Sequence, residues 1–133
     1  MLAILKSLFH NPKREAKRLN RDAATIIDSA TRSFPIERVR DIAVMTLEHL
    51  SEADEHLQAH TEGREQVLYR FQSLHREARR RMDQVALTAY TLVIIRLRAQ
   101  ALGALCAPAL AAIDEFTGQW AHAAGNGPQH TLE

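Results

Sequence analysis

Apolar positions recur at alternating steps of four and three over a stretch free of glycine and proline, from Arg64 to Leu102. The stripe reads Val67, Phe71, Leu74, Ala78, Arg81, Val85, Thr88, Leu92, Ile95, Ala99, Leu102, broken only by Arg81 and Thr88. An average step of about 3.5 residues keeps one seam of a helix turned toward a partner, the basis of coiled-coil-like packing. Read as one helix, the stretch reaches about 58 Å at roughly 1.5 Å per residue, beyond the core of a small domain.

The rest of the chain follows the same helical grammar. Leu2, Leu5, Leu8 and Phe9 give residues 1–10 a short amphipathic ridge, ended by Asn11-Pro12. A helix over 13–33 gathers Ala16, Leu19, Ala23, Ile26, Ile27 and Ala30 on one side. Phe34-Pro35 stops it, because the residue before a proline is steered away from helical angles. The next helix, over 35–60, would bury Ile36, Val39, Ile42, Ala43, Leu47, Leu50 and Leu57. Thr61-Glu62-Gly63 turns the chain into the long helix over 64–102, and Gly103 and Pro108 bracket a turn into a last helix over 108–122. Residues 123–133, with Gly125, Gly127 and Pro128, read as a flexible tail. The prediction is one all-α domain over 1–122, an antiparallel helical bundle with one long central helix and coiled-coil-like packing.

Charge tests the pairing. If facing residue numbers in the hairpin around Glu62 sum to about 124, Arg70 lies near Asp54 and Arg76 near Glu48. The same arithmetic places Pro35 opposite Ala89, so the least polar part of the long helix overhangs its first partner. Burying an aliphatic side chain there is worth about 1.5–3 kcal/mol, which argues against leaving several in water. The last helix covers one face of the overhang. A second copy covers the other in the simplest arrangement, which makes Leu92, Val93, Ile95, Ala99 and Leu102 the expected self-association seam of a homodimer. The competing reading breaks the helix at Arg80-Arg81-Met82-Asp83 and folds the remainder back into a self-contained monomer.

Composition narrows the setting. Of 133 residues, 46% are apolar and 25% charged, the balance of a folded rather than a disordered chain. A formal net charge of +1 points toward neither nucleic acid nor acidic substrates in bulk. One cysteine, Cys106, excludes an internal disulfide and suits a reducing compartment. Lys6 interrupts the apolar N-terminus and no cleavage pattern follows, so a cytoplasmic location is expected.

Three groups of residues invite chemistry. His49, Glu52, His56 and His60 share a face of the second helix, with His75 across the hairpin, and imidazole with carboxylate is how bundles hold metals. No Glu-x-x-His or His-Glu-x-x-His element accompanies them, so a metal-binding bundle stands as an alternative, with no cofactor in the main reading. Basic side chains cluster at Lys13, Arg14, Lys17, Arg18 and Arg21, and again at Arg76, Arg79 and Arg80. Without a DNA-binding spacing or stacking aromatics, nucleic acid is disfavoured, and the Arg76, Arg79, Arg80 face is assigned to a partner protein. The N-terminal ridge before a basic cluster has the composition of a helix lying on a membrane surface, the second alternative. No phosphate loop or nucleophile elbow is present. The sequence therefore predicts a non-enzymatic interaction or regulatory protein.

Overall fold

The computed structural model describes the backbone of residues 11–132 and the side chains of residues 11–121, and no strand occurs among the described residues. The all-α bundle is as expected. Helix α1 spans Pro12–Ser33. Asn11 caps it, its side-chain oxygen accepting from the Arg14 amide at 3.1 Å, and Pro12 fills the first turn, where a missing N–H costs nothing. Phe34 leaves helical geometry (φ −95°, ψ 147°) ahead of Pro35, and α2 spans Ile36–Gln58. The ridge of Leu2, Leu5, Leu8 and Phe9 lies outside the described residues.

The long helix over 64–102 is not formed as one rod. Helix α3 spans Arg64–Arg80 and α4 spans Gln84–Leu102, with a reversal between them. Met82 takes the left-handed conformation (φ 57°). The Asp83 amide then donates to the Ala78 carbonyl at 2.9 Å and the Met82 amide to Arg79 at 3.1 Å, the bond pair of a Schellman stop. Asp83 starts α4 at once, accepting from the Ala86 amide at 3.1 Å. A left-handed L-residue costs about 1–2 kcal/mol, whereas each aliphatic side chain of α4 turned inward returns about 1.5–3 kcal/mol. The reversal wins on magnitude. His60 (φ 57°) builds the same stop between α2 and α3, with Thr61 bonded to the His56 carbonyl at 3.1 Å.

Helix α4 consequently sits at the centre and packs against α1, α2, α3 and the last helix, α5 (Ala107–Leu132). Leu92, Val93, Ile95 and Ala99 are buried within the one chain and Leu102 is half-buried. The apolar surface expected to need a second copy is covered by the chain's own helices, so these five side chains do not form an exposed self-association seam. By length and composition the stretch beginning at Gln84 could cross a membrane, but α4 ends at Gly103, whose φ of +65° with ψ −132° suits only glycine.

Polar clamps hold the outer helices in place. A 3₁₀ turn over Gly103–Cys106 leads into α5, and Asn20 of α1 grips this corner with both ends of its amide. Its Nδ2 donates to the Leu105 carbonyl at 3.0 Å and its Oδ1 accepts from the Ala109 amide at 2.9 Å. Arg64 at the start of α3 donates to the Leu97 carbonyl (3.1 Å) and to Gln100 (3.2 Å), fixing α3 antiparallel to α4. Helix α5 runs from Ala107 to Leu132, past the Ala123 at which the tail was expected to begin.

Candidate functional site

Helix α4 is not fully covered on the side of α1. Leu87, Thr91, Ile94 and Arg98, at i, i+4, i+7 and i+11, are all half-buried and floor a groove on the α1 side. One lobe, of about 320 Å3, lies between α1 (Arg18, Leu19, Asp22, Ile26), α3 (Gln72, His75) and α4 (Thr91, Ile94, Ile95, Arg98). The second, of about 290 Å3, continues between α1 and α4 past Ser29, Phe34, Leu87 and Thr88. Ile26 and Thr91 line both lobes, so the two adjoin along α1 and α4 and together make up a shallow trough. Each lobe is within or just below the span of ordinary ligand clefts, about 300–1,000 Å3.

The trough is electrically lopsided. Arg18 and Arg98 stand at its first end, and neither makes an ion pair among the described residues. The lobe's one acid, Asp22, already lies 3.6 Å from Arg21. His75 reaches across from α3, with Nε2 3.0 Å from the Thr91 hydroxyl. That hydroxyl donates to the Leu87 carbonyl at 2.7 Å, so it accepts from His75, which places the ring proton on Nε2 and leaves Nδ1 as an acceptor. Burial, reinforced by the charge of Arg79, holds the His75 imidazole below its ordinary pKa. The far lobe lacks charged side chains: Ile26, Ala30, Phe34 and Leu87 alternate with Thr25, Ser29, Thr88 and Thr91.

The predicted metal stripe is dispersed. His49 packs edge-on against Phe71 (5.5 Å between centroids) and beside Tyr90 (5.3 Å). His56 bonds Thr61 at 2.9 Å and Glu52 pairs with Arg70 at 3.2 Å, while His60 forms the turn and His75 faces the groove. Among the described residues no three His, Cys, Asp or Glu side chains converge as a metal site. The reason is packing: α2 and α3 do not lie along one another as the expected hairpin but each packs on α4. Where the two still meet, near their connecting turn, Arg70 reaches Glu52 and Glu62 instead of Asp54. His75 is turned onto α4 by the Met82 reversal. Arg76 bonds Ser73 within its own helix, Arg80 pairs with Glu77, and Arg79 is exposed beside His75. Cys106 is buried, and burial together with Glu15 raises its thiol pKa, the opposite of an activated nucleophile.

Arg98, Ile94, Thr91 and Leu87 escaped the sequence reading because the expected dimer seam hid them. Their own spacing was the available signal: one line of a largely apolar helix that holds both a threonine and an arginine. No family model matches the chain, and no curated protein or solved structure matches it either.

Proposed function

We propose that this protein is a non-catalytic helical binding module whose recognition surface is the trough between α1 and α3 over α4. Its partner is a molecule that presents an anionic group beside apolar surface. The observation that carries this reading is the meeting of Arg18 and Arg98, both without an acidic partner among the described residues, at the mouth of a trough floored by Ile26, Ile94 and Ile95. Arg18 is exposed and Arg98 half-buried, and two cations lining one lobe with no acidic partner attract an anion that comes between them. The groups around the trough suit holding better than chemistry. His75 is committed to Thr91, and among the described residues no hydrogen bond joins it to a serine, a cysteine or the lobe's carboxylate, Asp22.

The test uses 8-anilinonaphthalene-1-sulfonate, an anion on fused apolar rings, with isoleucine-methyl NMR on the full chain. The expected result is shifts at Ile26, Ile94 and Ile95, with the core methyls of Ile42 and Ile113 unmoved. Combining Arg18→Glu with Arg98→Glu should weaken binding at least tenfold. Undiminished binding by that folded double variant would overturn the reading.

A further inference from the structure

Resting on the binding-module reading, we infer that the trough's occupant is a single-chain anionic amphiphile, a carboxylate of about twelve to fourteen carbons. The placement of charge and length supports this. All the cationic side chains lining the trough lie at one end, Arg18 on α1 opposite Arg98 on α4, while the second lobe offers only apolar side chains and hydroxyls. From Arg18 to Ser29 the wall of α1 runs eleven residues, about 16 Å at roughly 1.5 Å per residue. An extended zigzag alkyl chain, with C–C bonds of about 1.5 Å, advances about 1.25 Å per bond, so roughly twelve to fourteen carbons span most or all of that distance. The carboxylate sits between the two guanidinium groups, which can grip both of its oxygens. The alkyl chain then follows Ile94 and Ile26 to Leu87 and Phe34. Thr25, Ser29 and Thr88 leave the far end open to water rather than closed, so a modest overrun of the chain is tolerated.

A second acidic macromolecule is the rival occupant, and the dimensions count against it. The two lobes together, about 320 and 290 Å3, hold a narrow chain, whereas a docked helix is about 10–12 Å across with its side chains. The asymmetry of charge adds to this, since an acidic helix would bring carboxylates along its whole length to an apolar second lobe.

The experiment titrates isoleucine-methyl-labelled full-length protein with dodecanoate below its micelle concentration, and in parallel with dodecyltrimethylammonium, which keeps the chain and reverses the head charge. The expected result is one-to-one dodecanoate binding that shifts Ile26, Ile94 and Ile95, at least tenfold tighter than the ammonium. Arg98→Gln should weaken it by a similar factor, and hexanoate should bind at least tenfold more weakly than dodecanoate. Equal binding of the two head groups, or of the two chain lengths, overturns the inference. If 8-anilinonaphthalene-1-sulfonate shifts the groove methyls and dodecanoate does not, the amphiphile assignment fails while the binding-module reading stands. An acidic amphipathic peptide that binds there in its place would reassign the occupant to a protein. If none of the three reaches the groove, both readings fail.

Discussion

Helices α3 and α4 are two halves of a single seven-residue pattern, yet they occupy opposite situations. On α3 the buried side chains are Val67, Phe71 and Ala78, one line facing inward, and Tyr69 is 65% exposed. On α4 eight side chains are buried, Ala86, Ala89, Tyr90, Leu92, Val93, Ile95, Leu97 and Ala99, spread around most of the helix. The stripe that continues from one to the other does not distinguish them. The off-stripe positions do: charged or amide on α3 at Arg64, Glu65, Gln66, Arg70 and Gln72, apolar on α4 at Ala86, Ala89, Val93 and Leu97. A seam period says that a helix has a partner. The width of the apolar arc says how many, and a helix apolar nearly all round belongs at the centre of a bundle.

Truncating a side chain on each helix should give the widest separation. Leu97→Ala removes a fully buried side chain from the central helix and should cost about 2–5 kcal/mol in urea unfolding. Tyr69→Ala on the exposed face of α3 should stay within about 0.5 kcal/mol. Comparable losses at the two sites would erase the distinction between edge and centre. A smaller effect, but one whose sign is decisive, is expected at the junction. Because Met82 holds a left-handed conformation, Met82→Gly relieves strain and should stabilise by about 0.5–1 kcal/mol. In an unbroken helix the same change would destabilise by about 1 kcal/mol. The smallest effect is protonic. The His75 pKa in the folded chain lies below its ordinary 6.5, so the unfolded chain takes up the proton first. The stabilising contribution is therefore complete above about pH 6.5 and declines as pH falls from there to the lowered folded value. His75→Gln should flatten that part of the stability profile, and identical slopes for the two proteins would remove His75 as its source.

Much of this architecture was legible in the residues. Asn11-Pro12, Phe34-Pro35 and Gly103 mark helix ends where local rules require them, and the apolar faces of α1 and α2 contain the buried sets Ala16, Leu19, Ala23, Ala30 and Val39, Ile42, Ala43, Leu50, whereas Ile36, expected inside, is exposed in the first turn of α2. The reversal at Met82 was visible only as an alternative, because methionine carries no intrinsic signal for a left-handed stop and the heptad runs through it. His60 is a similar case, although histidine visits that conformation more readily. The groove was hidden one step further. Arg18 was grouped with its basic neighbours on α1 and His75 with the other histidines, and only the fold-back of α4 brings them together with Arg98. A site assembled from three helices across 81 residues of sequence has no local pattern to read.

The central claim is that the chain doubles back at Met82, burying α4 and creating the trough in the same step. Spin labels at Glu65→Cys and Ala101→Cys, both exposed positions, in a Cys106→Ala background report it directly by pulsed electron paramagnetic resonance. With α3 and α4 side by side, about 8–10 Å between axes, the labels should lie about 15–25 Å apart. A continuous helix would separate them by about 54 Å over 36 residues at roughly 1.5 Å each, and a distance in that range would contradict the account.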